Sequence, residues 1–191
     1  MQNQITIDGS LSVNEWHGDT VQFEKVANFF LNFDERFLYV GGIINDDSPL
    51  SNTKNNSEIW NGDAIEIAFG SNPDADPNRT RYLFSDYQLG IKLGADAYLW
   101  NWKKKSRIEG GEIKTVIVPG GYSFEAKIPL STFGEFKFIE GKNYGFEFAL
   151  DCGNQSGKRT SQLRWASNHA EGFHLNPSLW GILKVKGNSN Q

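Results

Sequence analysis

The stretch from Ala64 to Phe69 alternates strictly, with Ile65, Ile67 and Phe69 on one side and Ala64, Glu66 and Ala68 on the other. A period of two belongs to an extended strand, whose successive side chains point to opposite faces, and not to a helix. The same split recurs at Tyr87 to Leu93, where Leu89, Ile91 and Leu93 oppose Gln88, Gly90 and Lys92. It returns at Tyr122 to Leu130, with Phe124, Ala126 and Ile128 against Ser123, Glu125 and Lys127, and at Asn143 to Asp151, with Phe146, Phe148 and Leu150 against Glu147, Ala149 and Asp151. Strands of this kind each have one face for a core and one for water.

Further strands are predicted at Ile5 to Gly9, Thr80 to Ser85, Tyr98 to Trp102, Glu112 to Val118, Ser161 to Ser167 and Trp180 to Lys186. A hairpin is predicted from Asn28 to Ile44 around the turn Asp34-Glu35-Arg36. Gly, Pro, Asn and Asp mark the breaks, and no amphipathic helical period competes. About ten such strands close most naturally into an all-β, two-sheet antiparallel sandwich of jelly-roll or immunoglobulin-like type. The expectation is one domain over residues 1–191.

Charge narrows the function classes. A net charge of −4, with Lys103-Lys104-Lys105 the only basic run, does not suit a nucleic-acid partner, which calls for a basic face. No apolar stretch approaches the length of a membrane span, so a soluble monomer is expected, whether whole or a module of a larger secreted protein. Cys152 is the only cysteine and has no internal disulfide partner. His17, His169 and His174 lack metal-ligand spacing, and neither a nucleophile elbow nor a phosphate-cradling glycine loop is present.

Candidate chemistry therefore centres on Glu66, flanked by two alanines on what reads as an open sheet face, with the indole of Trp60 at its rim. Tyr98, Trp100 and Trp102 share one side of a short run and are expected to pack under a loop. Asp63, Glu66, Asp86, Glu125 and Glu147 lie in or beside strands, and a hydrolytic pair would require two of them roughly 5–10 Å apart across a cleft. The oxygen-rich turns Asn45-Asp46-Asp47 and Asp74-Ala75-Asp76-Pro77-Asn78 suit hard cations, and a structural Ca²⁺ is an expectation with its ligands undetermined. No organic cofactor is expected.

The order and spacing of several segments resemble family 9 carbohydrate-binding modules, a group of DOMON-like β-sandwiches. They are Ile7-Asp8-Gly9 with Trp16 downstream, Trp60-x-x-Asp63-x-x-Glu66-Ile67, Asp86-x-Gln88, Gly121 through Pro129, Tyr144-Gly145-Phe146, Arg164-Trp165, and Asn176 through Gly181. The resemblance implies non-catalytic binding of an oligo- or polysaccharide by a secreted or cell-surface module, serving a parent enzyme such as a glycoside hydrolase. It also implies a sugar ring clamped between two aromatics, with polar groups on its hydroxyls. Trp60 and Glu66 match the family's first aromatic and its acid, and Gln88 and Arg164 join them as candidates for the polar face. The second aromatic falls at Phe173 or His174, and the family's basic residue falls on Gly90, with Lys92 two positions further on the same face. The alternatives are a haem-binding DOMON-like domain, for which the usual His and Met pair is missing, and a structural spacer.

Overall fold

A computed structural model describes residues 5–16, 20–23, 25–167 and 172–186. Met1, His17, His169 and the tail from Gly187 lie outside these residues. Among the described residues the chain forms β1 (Thr20–Phe23), β2 (Ala27–Phe33), β3 (Phe37–Asn45), β4 (Ala64–Gly70), β5 (Asp86–Lys92) and β6 (Tyr98–Asn101). They are followed by β7 (Ser106–Arg107), β8 (Glu112–Val118), β9 (Gly121–Pro129), β10 (Asn143–Gly153), β11 (Arg159–Arg164) and β12 (Gly181–Lys184). One sheet runs β1-β2-β3-β9-β8 and the other β11-β10-β4-β5-β6-β7, with β12 also pairing β10. All pairings are antiparallel. The sandwich expected from the alternation is the one observed.

The inward residues of both sheets merge into one apolar cluster that includes Phe29, Val40, Ile65, Ile67, Leu89, Phe124, Ile128 and Phe148. Phe29 of the first sheet stacks on Phe148 of the second at 4.9 Å, a direct contact between the layers. Burying each such side chain stabilises by roughly 1.5–3 kcal/mol, so the alternation itself specifies which face turns inward.

Two segments depart from the strand reading. Thr80 to Ser85 is a bent loop, held because Arg79 grips Asp86 through two nitrogens (2.6 and 3.0 Å) while the Leu83 N–H donates to the same carboxylate (2.8 Å). A buried, fully bonded carboxylate at the loop's end outweighs the weak strand preference of its residues. Ile5 to Gly9 pairs with no strand either. The N–H groups of Asp8 and Gly9 donate to Glu125, and the Gly9 carbonyl accepts from the Ser123 hydroxyl, so side chains replace a sheet ladder. β1 and the two-residue β7 lie where no strand was anticipated.

Candidate functional site

Strand register sets the geography of the outer face of the second sheet. Glu66 on β4 lies opposite Ala149 on β10 and Gly90 on β5. The row continues to Arg164 beyond Ala149 and to Trp100 beyond Gly90. In the next row Ala64 lies between Asp151 and Lys92, with Gln162 beyond Asp151. Paired residues share a face, so Glu66, Asp151, Gln162 and Arg164 converge from three strands.

The face is not an open floor. Every residue of β4 is buried, Glu66 to 4 % exposure, because the small side chains that promised openness instead admit covering loops. Phe173 and Trp180, with Tyr82 and Leu179 beside them, pack over Ala68 and Ala149. On the other flank Ile59, Tyr98, Trp100 and Trp102 form a second cluster, with Trp102 and Ile59 filling the space above Gly90. The three aromatics from Tyr98 to Trp102 thus pack under a loop, as expected.

That loop places Trp60. The Asn56 N–H donates to the Tyr98 hydroxyl (2.6 Å), the Trp102 indole donates to the Ser57 carbonyl (3.0 Å), and Asn52 Nδ2 donates to the carbonyls of Ile59 (2.7 Å) and Asp63 (3.0 Å). Asp63 accepts from the N–H groups of Ser51 and Gly153, both at 2.6 Å, and so ties the loop to β10. With Ile59 fully buried, its neighbour Trp60 is turned outward and stays 37 % exposed. The indole is presented by a loop fixed at several points, which lowers the ordering cost of any contact it makes.

Glu66 is held by side chains. Gln88 Nε2 donates to Oε2 at 2.6 Å and Gln162 Nε2 to Oε1 at 2.8 Å. The same Gln162 nitrogen donates to Asp151 Oδ1 at 2.8 Å. Arg159 Nη1 sits 2.8 Å from Asp151 Oδ1 and 3.8 Å from Glu66 Oε1, and its guanidinium lies 4.5 Å over the Trp60 ring. The amides, the guanidinium and the indole therefore form the accessible surface, with two carboxyl groups beneath them.

Burial pushes the Glu66 carboxyl up from its ordinary value, against the opposing pull of the Gln88 and Asp151 hydrogen bonds, Arg159 and His174. Asp151 is likewise pushed well above its ordinary value, by burial first and then by the charge of Glu66. The Tyr82 hydroxyl is buried without a partner among the described residues; burial raises it foremost, and the charges of Asp86 and Glu66 add to this.

Of the residues singled out in the sequence, Trp60, Glu66 and Gln88 meet here, and His174 is near enough for its charge to act on Glu66. Arg164 shares the row of Glu66. Lys92 is turned to other work, its buried ammonium taken by Asp96 (2.6 Å) and Asn55 (3.2 Å) beneath the Trp60 loop. Phe173 is 1 % exposed and anchors its loop over the alanines, with the exposed His174 ring 6.0 Å away.

Arg159, Gln162, Asp151 and Tyr82 were not anticipated. Gln162 and Arg164 share a face by simple alternation, which was a usable signal. Arg159 was hidden by a bulge: Cys152 pairs with Ser161 but Gly153 with Arg159, so Thr160 is skipped and Arg159 swings to the face of Gln162.

The remaining strand carboxylates serve the backbone or a fixed pair. Asp63 and Asp86 hold the loops described above. Glu147 accepts from the N–H groups of Ala166 (2.9 Å) and Ser167 (2.8 Å), and Glu125 takes the N-terminal segment. The oxygen-rich turns carry short internal bonds, Asp46 accepting from Ser48, Asn72 from Asp74 and Asp76 from Asn78, while Asp74 also pairs with Lys142 (3.0 Å) and the Asn45 amide donates to the Lys25 carbonyl (2.7 Å). No three His, Cys, Asp or Glu side chains gather to hold a metal among the described residues.

A two-sheet sandwich with a polar, aromatic-rimmed patch on one outer face has the build of a β-sandwich binding module. The family model described as carbohydrate family 9 binding domain-like matches residues 5–188, and the chain belongs to that family. Among solved structures it is similar to a family 9 carbohydrate-binding module from Caldicellulosiruptor kristjanssonii in complex with cellotriose. That match has a TM-score of 0.75 and 26 % identity, over 98 % of this chain and 92 % of the other. The module from the same organism in complex with glucose matches with a TM-score of 0.74 and 26 % identity, over 99 % and 95 % of the two chains. A putative carbohydrate-binding protein from Bacteroides uniformis ATCC 8492 matches with a TM-score of 0.57 and 14 % identity over 84 % and 78 %, and shares the fold. No curated protein matches the chain.

Proposed function

We propose that this chain is a non-catalytic carbohydrate-binding module that holds a neutral sugar ring at Trp60, with the ring hydroxyls bonded by Gln88, Gln162 and Arg159 above Glu66. The observation that carries the reading is the make-up of the Glu66 site. Its buried carboxyl is served by amide and guanidinium side chains, which have further hydrogen-bonding groups to offer, beside an exposed indole presented by a fixed loop. Sugar C–H groups suit the negative face of an aromatic ring, and sugar hydroxyls require paired donors and acceptors.

Glucose units are the substrate class, supported by the glucose and cellotriose held by the two similar modules. Arg159 covers one face of the indole, so the sugar either takes the other face or displaces the guanidinium. The acidic pair does not suit glycoside hydrolysis. Glu66 and Asp151 are buried side by side, with one Gln162 nitrogen 2.8 Å from each, and no cleft separates them for a scissile bond to enter. Attachment of a secreted enzyme or surface protein to polysaccharide is the corresponding biological role, and family membership is its support.

Titration with glucose and cellotriose, followed by tryptophan fluorescence, tests the reading. The wild type is expected to respond saturably to at least one of them and Trp60→Ala to lose most of the response. A wild type silent to both sugars, or an unaltered Trp60→Ala, contradicts it.

A further inference from the structure

Beneath the accessible surface lies an arrangement that carbohydrate binding alone does not call for. Glu66 and Asp151 are buried to 4 % and 0 % exposure and lie close enough to be bridged by shared donors. One Gln162 nitrogen donates to both, and one guanidinium, Arg159, faces both. Asp151 Oδ2 is buried with no partner among the described residues. Two carboxyls served by the same amide nitrogen and the same guanidinium sit side by side, and a proton on one of them removes the repulsion between like charges. With both ionised, the pair would bring two negative charges against one guanidinium in a site stripped of water, which is costly.

We propose, building on the sugar-binding reading above, that Asp151 is a positioning residue of the sugar site: it and Glu66 hold a single proton between them beneath Arg159 and Gln162, and loss of that proton weakens sugar binding. With the proton in place the pair carries one negative charge, balanced by Arg159, and the guanidinium can extend over Trp60. When the proton passes to water, the second negative charge strengthens the hold on Arg159 and Gln162, which already contact the carboxyls, so that they turn less readily to a sugar. A neutral sugar laid over this uncompensated charge deepens its burial, so the bound state favours the protonated pair. By linkage, affinity falls as pH rises through the titration of the unliganded pair.

The other titratable or charged groups facing the pair include His174 from the loop before β12, Tyr82 from the loop before β5, Arg159 of β11, and Arg164 in the row of Glu66. Tyr122 and Cys152 feel Asp151 from the core side, and burial foremost raises both of them. Of these groups His174 acts on Glu66 through its charge, so its contribution must be separated experimentally.

Calorimetric titration with cellotriose from about pH 5.5 to about pH 9 tests the proposal, and affinity is expected to fall at least about fivefold across that range. In Asp151→Asn the slope should vanish, because an amide supplies a permanent donor with no proton to lose. In His174→Asn it should persist. Carbon-13 NMR of the wild-type carboxyl groups reads the proton without any substitution, and a resonance titrating well above the ordinary carboxylate range is expected. Cellotriose binding that is flat with pH, a slope retained in Asp151→Asn or lost in His174→Asn, or carboxyl resonances that all titrate in the ordinary range would overturn the shared proton while leaving the function standing. Absence of glucose and cellotriose binding at every pH would overturn the function and with it the role given to Asp151.

Discussion

Glu125 and Glu66 occupy equivalent places on opposite sides of the molecule. Each lies mid-strand on the outer face of its sheet, is buried, and has a glycine as its cross-strand neighbour: Gly41 for Glu125 and Gly90 for Glu66. Each glycine leaves room for a tryptophan to lie over it, Trp16 in one case and Trp102 in the other. The indoles then part ways. Trp16 Nε1 donates to Glu125 Oε1 at 2.8 Å, and the N–H groups of Asp8 and Gly9 fill Oε2. Trp102 Nε1 donates instead to the Ser57 carbonyl, leaving Glu66 to Gln88, Gln162 and Arg159. Backbone donors cannot be offered to a ligand without undoing the fold, whereas amide and guanidinium side chains can turn to one. The same residue in the same pattern is thus a clasp on one sheet and the base of a site on the other.

Substitution of the two acids should separate these roles. Glu125→Gln puts an amide where three donors converge, and a loss of about 2–4 kcal/mol in urea unfolding is expected. Sugar affinity in the folded fraction should be preserved. Glu66→Gln should do the reverse, weakening glucose or cellotriose binding by about 1.5–3 kcal/mol, the range for a hydrogen bond to a charged group. Its stability should stay within about 1 kcal/mol of wild type, because the amide can donate to Asp151 in place of the proton the pair shares. If both variants lose stability alike, the contrast fails.

The paired glycines sharpen the same point. A Cβ at Gly41 would come within 2.4 Å of Leu11 Cδ2 and one at Gly90 within 2.5 Å of the Trp102 ring. Each alanine variant should cost about 1–3 kcal/mol through overpacking. Only Gly90→Ala should also weaken sugar binding, since it disturbs the loop that carries Trp60, and calorimetry on both variants decides this.

The smallest effect expected is on thermal stability with pH. Burial raises Glu125, Glu147, Asp63, Glu66 and Asp151 above their ordinary values. An acid whose folded value is raised contributes stability that is present below its unfolded value and lost as pH climbs through the folded one. The melting temperature should therefore fall from mildly acidic to mildly alkaline pH, and a rise over that interval would show that the carboxylate bonds outweigh burial.

The sequence carried most of the fold because its signal is steric. Where apolar residues alternate, as at Ile65, Ile67 and Phe69, only one register buries them. It failed at Ile5 to Gly9, where Glu125 reaches across the chain to bind backbone, a long-range event that local pattern does not encode, and at Thr80 to Ser85, where Asp86 bonds to Leu83 and Arg79 close by in sequence through side-chain contacts that strand periodicity does not register. In the site, Trp60 and Glu66 were legible from spacing, and Gln88 entered with the family resemblance. Arg159 was not, since the bulge at Cys152 and Gly153 reverses its face, and neither was the Asp151 contact, which needs two strands brought side by side. The alanines on either side of Glu66 misled, because small side chains permit packing as readily as they permit access.

A crystal structure with cellotriose tests the central claim most directly. The account predicts a glucose ring stacked about 4 Å from the Trp60 indole, its hydroxyls bonded to Gln88, Gln162 or Arg159, and Glu125 unchanged beneath its strap. A sugar bound elsewhere, with Arg159 still laid over Trp60 and the Glu66 surface untouched, would contradict it.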